Sequence, residues 1–335
     1  MRHEGAFLLD LVVKSGLKAP SHFPPRAPGT RTHKLTETPG IQGSSCSHDR
    51  GPLHPRSGGL RLGPHHLTQD VTVWEHEPGL DFVTTLDSAG GDGFFKVHFE
   101  RPFEGALNVD APFGVEPRDV AAEPYGEVLE RRRENVFYGS PWVDYSDGAR
   151  GVALLVEPGM QGFSFDPATR VLAHTLLKVI VHPTEGWERH ETRLREGKGR
   201  QVFRYRLLPH LGDWREADLP RRSLGWREPL TAVKPLGEQS QLLPDVHSFL
   251  SLCAPNVLLS TLYRDEGRVV LRLYEALGQT AEVELVLPFA PQSVRETDFV
   301  GQPRKRRLEL VGETVRLTLA PWEVVLLRLE GAGTP

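Results

Sequence analysis

Asn256-Val257-Leu258-Leu259-Ser260-Thr261-Leu262-Tyr263-Arg264-Asp265-Glu266-Gly267-Arg268-Val269-Val270-Leu271-Arg272-Leu273-Tyr274-Glu275 holds two apolar runs on either side of a turn signal. Val, Leu, Thr and Tyr dominate the first run, and the second alternates apolar with polar side chains. A period of 2 places one set of side chains on each face of a β-strand. Asp265-Glu266-Gly267 between them reads as a hairpin turn, because glycine enters the positive-φ region without steric cost.

The same pattern continues on both sides. Downstream, Ala281–Leu287, Thr314–Leu319 and Val324–Leu329 alternate, and short strands every ~8–12 residues predict a small β-sandwich. Upstream, Val71 and Val73, Leu80–Asp87, Phe94–Phe99, Gly151–Val156, Val171–Val179 and Gln201–Leu208 also read as strands. Leu80–Asp87 and Phe94–Phe99, joined by Ser88-Ala89-Gly90-Gly91-Asp92-Gly93, are expected to form a hairpin with a long loop. Before that, residues 1–67 are rich in Pro, Gly, Ser, His and Arg. A stretch with so little apolar surface does not offset the entropy of ordering it. The expected organisation is an irregular or disordered segment over 1–67, a large β domain over 68–214, a polar connector over 215–244 and a β-sandwich over 245–332.

Bulk properties narrow the function classes. The chain has 335 residues, with 40 basic and 44 acidic side chains. That near balance gives no argument for nucleic acid as a partner. No apolar run approaches the ~18 residues of a membrane span. Ala6–Val13 is interrupted by Asp10 and lacks a cleavage pattern, so it is not read as a signal peptide. Cys46 and Cys253 stand far apart in dissimilar surroundings, which argues against a disulfide framework or a cysteine-based zinc site and suits a reducing, cytoplasmic compartment.

Several segments together resemble glycoside hydrolase family 38, the α-mannosidases. Leu317-Thr318-Leu319-Ala320-Pro321-Trp322-Glu323-Val324-Val325-Leu326-Leu327-Arg328-Leu329 is similar to the family's last strands. Val294–Gly301 resembles the acidic segment before them, and Val269–Glu275 the family's Arg-Leu-Tyr-Glu strand. Leu208-Pro209-His210-Leu211-Gly212-Asp213-Trp214 resembles the stretch that closes its large β domain. Pro112–Asp119, Arg132–Phe137 and Trp142–Gly148 look like one bacterial branch. These segments occur in order over about Val71 to Leu329.

The resemblance implies a mainly β fold: a galactose-mutarotase-like β-supersandwich followed by a smaller C-terminal β-sandwich. In the intact family, a barrel earlier in the chain carries the nucleophile, the general acid and the zinc ligands. No segment here resembles that barrel. The implied function is the C-terminal β portion of an α-mannosidase, supporting the active-site cleft, binding carbohydrate and inactive alone. Its implied partners are mannosides and the missing family 38 barrel. Zinc enters only through residues that this sequence lacks. An isolated β region would also expose apolar surface where the barrel packs.

Candidate contacts for sugar are Asp144, Tyr145 and Asp147, then His210, Asp213 and Trp214, then Arg272, Tyr274 and Glu275. Each has a structural alternative. Asp147-Gly148 suits a tight turn, and Asp144 suits acceptance of backbone bonds. His210 and Asp213 line a cleft edge or hold a loop. Arg272 and Glu275 make a substrate contact, a structural salt bridge or an inter-domain contact. No catalytic residue is assigned, and no His/Cys/Asp/Glu spacing marks a metal site. Two further readings stay open: a non-catalytic carbohydrate-binding or structural β protein, and a mutarotase-like enzyme in which His98, His174 or His210 pairs with a carboxylate.

Overall fold

The computed structural model describes residues 9–15, 53–74, 77–90, 93–100, 103–119, 135–139, 141–159, 161–166, 169–179, 197–228, 230–233, 244 and 246–331. Most of the histidine-rich start and the Arg131–Glu134 run lie outside them. The chain divides into two compact units, one of Met1–Asp110 and Glu116–Leu219, the other of Ala111–Val115 and Pro220–Pro335.

The first unit contains β1 (Leu9–Ser15), β2 (Leu53–Leu62), β3 (His65–Val73), β4 (Leu80–Ala89), β5 (Gly93–Glu100), β6 (Ala106–Ala111), β7 (Gly114–Arg118), β8 (Asn135–Gly139), β9 (Trp142–Ser146), β10 (Arg150–Val156), β11 (Gln161–Asp166), β12 (Val171–Val179) and β13 (Lys198–Leu211). They form a five-stranded sheet, β1-β5-β12-β11-β8, and an eight-stranded sheet, β2-β3-β4-β13-β10-β9-β6-β7. Phe82, Leu86, Val97, Phe99, Leu154, Phe163, Phe165 and Tyr205 from the two sheets share one core. β4 shows why its sequence selects a strand: Phe82, Thr84, Leu86 and Ser88 are buried while their neighbours are not. Burying such a face removes apolar surface from water at about 25 cal/mol per Å2.

Within the segment read as irregular or disordered, the described residues are the strand Leu9–Ser15, the strand Leu53–Leu62, a turn at Gly63 and Pro64, and the start of β3. β1 pairs with β5 and β2 with β3. Pairing of this kind satisfies backbone groups and needs no apolar alternation, so composition did not signal it. The expected hairpin of Leu80–Asp87 with Phe94–Phe99 does not form. β4 pairs with β3 and β13, whereas β5 pairs with β1 and β12. The glycine-rich link therefore passes from one sheet to the other.

A short helix, α1 (Leu219–Arg227), occupies part of the expected connector. Pro220 in its first turn withholds an N–H that would have no helical acceptor. Then come β14 (Ser251–Leu252), β15 (Val257–Asp265), β16 (Arg268–Glu275), β17 (Ala281–Val286), β18 (Ser293–Thr297), β19 (Glu309–Val311), β20 (Thr314–Leu319) and β21 (Val324–Glu330). They make two four-stranded sheets, β14-β17-β20-β19 and β15-β16-β21-β18. Leu271, Leu273, Val283, Leu285, Leu317, Leu319, Val325 and Leu327 fill the space between them. The β15–β16 hairpin forms as read, with Asp265 opposite Arg268. Its two turn residues, Glu266 and Gly267, have φ of 48° and 80°. Arg306 ties the sheets at one edge, donating to Glu296 of β18, to Glu323 and to the Thr318 carbonyl of β20.

Tyr205 anchors a small polar network inside the first core. The Tyr205 hydroxyl lies 2.9 Å from Thr84 Oγ1 and accepts from Gln69 Nε2 at 2.8 Å. Burial pushes this hydroxyl well above the usual tyrosine range, against the opposing pull of those two bonds. His174 stacks on Phe163, with ring centroids 5.1 Å apart, and burial lowers it to about 3. The folded state thus keeps His174 neutral, while the unfolded chain protonates it below about 6.5. Its contribution is fully present above that value and declines as pH falls toward about 3, by at most about 1.4 kcal/mol per pH unit. Denaturant midpoints of the full chain should therefore fall between pH 6.5 and 5. In His174→Phe, which keeps the ring stack, that slope should flatten.

Candidate functional site

Strand β10 is buried on both faces, from Gly151 to Val156. Val152, Leu154 and Val156 point into the core between the sheets, so Ala153 and Leu155 face outward and still lie at 0% and 1% exposure. Trp142 of β9 also faces outward and is fully buried. Trp214, in the turn after β13, packs against it at a centroid distance of 5.7 Å and is itself buried. The chain leaving β13 thus folds back over the eight-stranded sheet.

At the end of this covered region lies an open cleft of about 500 Å3. One wall is Ser146, the last residue of β9, with Asp147 and Gly148 after it. The opposite wall is Asp213, Trp214 and Arg215 after β13, and Glu104 and Asn108 close it beside β6. Asp147, Asp213 and Trp214 were expected site residues, and they do converge. Glu104, Asn108, Ser146 and Arg215 were not singled out in the sequence, since nothing local distinguishes them.

The carboxylates of the cleft are held by their own turns. Asp147 Oδ1 accepts from the amides of Ala149 and Arg150, both at 2.9 Å. The Arg150 and Ala149 amides hold this carboxyl below its usual range. Asp213 Oδ1 accepts from the amides of Arg215 at 2.8 Å and Glu216 at 3.1 Å. Glu104 meets Arg170 at 3.0 Å. Trp214 does not offer an open face: Trp142 lies against it, and the Arg215 guanidinium carbon sits 4.1 Å from its ring centre.

Asp144 and Asp147 are not a working pair. Asp144 is completely buried, accepting from Ser146 Oγ at 2.7 Å and lying 2.8 Å from His210 Nε2. His210 Nδ1 is 3.2 Å from the Leu211 carbonyl oxygen. Tyr145 belongs to the core, where it stacks on Phe165 and its hydroxyl accepts from the Gly105 amide at 2.6 Å.

In the second unit, Arg272 donates to Ser260 Oγ at 2.7 Å and Thr261 Oγ1 at 2.9 Å, with its guanidinium 5.2 Å above the Phe113 ring. Tyr274 meets the same ring edge-on at 5.3 Å. Glu275 is fully buried and accepts from the amides of Leu277, Gly278 and Trp322 and from Asn256 Nδ2. The expected sugar contact at Glu275 is therefore an internal cap. Among the described residues there is no group of three His, Cys, Asp or Glu side chains that suits a metal ion. Glu275→Gln replaces one acceptor oxygen by a donor facing two N–H groups, so chemical denaturation should show the second unit less stable by about 1–3 kcal/mol. The outer face of the first unit should be unaffected.

A model of the glycosyl hydrolases family 38 C-terminal beta sandwich domain matches residues 256–325. Alpha-mannosidase 2C1 of Homo sapiens is 28% identical over 280 residues, covering 81% of this chain and 25% of that protein. Its Mus musculus counterpart is 29% identical over the same length. The chain spans about a quarter of the length of these curated relatives. Among solved structures, an alpha-mannosidase from Enterococcus faecalis V583 superposes with a TM-score of 0.67 at 20% identity, over 81% of this chain and 29% of that one. A family 38 protein from Enterococcus faecalis gives 0.66 at 19%, over 79% and 30%. At such identity these two show a shared fold.

Proposed function

Because the chain carries the C-terminal β region of glycoside hydrolase family 38, we propose that it serves an α-mannosidase by supporting the active-site cleft and contacting carbohydrate. The observation that carries this reading is the convergence of Ser146, Asp147, Asp213 and Arg215 with Glu104 and Asn108 in one open cleft. Fixed carboxylates, an amide and a guanidinium recognise the many hydroxyls of a sugar through directed hydrogen bonds. Their positions are set by turns at the ends of rigid strands, where binding groups are commonly placed.

Retaining glycoside hydrolysis needs two carboxyl groups about 5–5.5 Å apart, one as nucleophile and one as acid. In this reading the family's barrel supplies both, together with its zinc ligands, and the present region shapes the surroundings. The described residues do not fit zinc, so no step here runs through a metal. Exposed Leu230, Val233, Val246 and Phe249 give the barrel apolar surface to pack against. A reducing, cytoplasmic location suits the free, exposed Cys253. No helix among the described residues is long and apolar enough to cross a membrane.

A mutarotase-like site finds less support. His174 meets Gln161 and Phe163 inside the core. The His210–Asp144 pair has side chains 3% and 0% exposed, so a substrate does not reach it. The purified chain is expected to bind methyl α-mannoside, seen as shifts of cleft amides by NMR. It should leave an aryl α-mannoside intact with or without added zinc. Turnover by the chain alone would overturn this reading, and absence of binding would favour a purely structural role.

A further inference from the structure

We propose that Asp144 and His210 form a buried clamp that fixes the separation of the two cleft walls, and that Gly151 is the gap through which it closes. The inference takes its ligand from the carbohydrate reading above and its mechanism from geometry alone.

The two walls grow from strands that are not neighbours. Ser146–Gly148 follows β9 and Gly212–Arg215 follows β13, with β10 between them. Asp147 N–H donates to the Arg150 carbonyl at 3.0 Å, closing the β9–β10 turn, and Gly212 N–H donates to the carbonyl of Ala149 in that same turn at 2.9 Å, the backbone tie between the walls. The His210–Asp144 bond is a direct side-chain link between the outer strands. Gly151 stands in register with Ser146 on one side and with His210 on the other. A Cβ at Gly151 would lie 2.2 Å from His210 Cε1, 2.5 Å from His210 Nε2 and 2.8 Å from Ser146 Cβ. The imidazole therefore occupies the space that any other residue at 151 would fill.

From there His210 Nε2 reaches Asp144 Oδ1 at 2.8 Å, and Asp144 Oδ2 takes the Ser146 hydroxyl at 2.7 Å. Asp144 lies three residues before Asp147, and His210 three before Asp213. Each wall is thus anchored by one end of the same buried hydrogen bond. Well-packed apolar residues would fill such a place with equal or greater stability. A polar link there adds what they lack, a fixed distance and direction between its ends.

The test compares the full chain with His210→Leu, His210→Gln and Gly151→Ala. Affinity for methyl α-mannoside is read by NMR, and hydrogen exchange is read at the Ala149 and Arg150 amides, which donate to Asp147. His210→Leu and Gly151→Ala should weaken binding about tenfold or more, because displacement of binding groups by about 1 Å has effects of that order. Both should speed exchange at the two turn amides more than at core amides. His210→Gln keeps a donor toward Asp144 and should restore most of both properties. If Gly151→Ala does not fold, the two His210 variants decide the matter. The clamp is overturned if His210→Leu matches the parent in affinity and turn exchange, or if His210→Gln is as impaired as His210→Leu. Should the parent not bind the mannoside, the carbohydrate reading falls. Turn exchange then judges the clamp alone: acceleration in His210→Leu with recovery in His210→Gln upholds it, and unchanged exchange sinks it.

Discussion

Strand β10 has no wet face between Gly151 and Val156, and much of the first unit follows from that constraint. Its inner side chains join the core between the two sheets. Its outer ones, Ala153 and Leu155, need a second cover, because a strand apolar on both sides is stable only when both sides are packed. The chain beyond β13 supplies that cover by turning back, with Trp214 against Trp142. The return path brings Asp213 and Arg215 opposite Ser146 and Asp147. Packing, not a dedicated loop, therefore creates the cleft.

Three described carboxylates of this chain cap turns. Asp147, Asp213 and Glu275 each accept backbone amides where a strand ends and the chain reverses. Amides at such points have lost their ladder partners and need acceptors when water is excluded. A carboxyl used in this way is held in one orientation by the amides it accepts. Rigid placement of acceptors is consistent with the sugar-contacting role proposed above.

Alternation made the strands legible. Leu80–Asp87, Ala281–Leu287 and Thr314–Leu319 were readable because a period of 2 dictates which side chains enter a core. It does not dictate which strands become partners. β4 pairs with β13, more than a hundred residues away in sequence, and so Leu80–Asp87 leaves its sequence neighbour Phe94–Phe99 for another sheet. β1 and β2 lie in the segment read as irregular or disordered and join the sheets by pairing with β5 and β3. In the cleft, Asp147, Asp213 and Trp214 could be picked out from local chemistry and resemblance. Glu104, Asn108 and Arg215 could not, since each is ordinary in its own segment and matters only through chain reversal.

One sequence signal did point to the clamp. Gly151 opens the apolar run Gly151-Val152-Ala153-Leu154-Leu155-Val156, where a glycine weakens a strand unless something must come close to it. That something is the His210 ring, whose partner Asp144 lies 66 residues earlier in the chain. A glycine in a strand buried on both faces thus reads as a contact still to be identified. The same logic separates the expected roles of the polar residues around it. Those that meet across Gly151 are sealed from solvent and hold the walls. Those three residues further along each chain, Asp147 and Asp213, emerge at the strand ends and line the cleft. Position along β9 and β13, rather than residue type, divides the side chains that line the cleft from those sealed behind it.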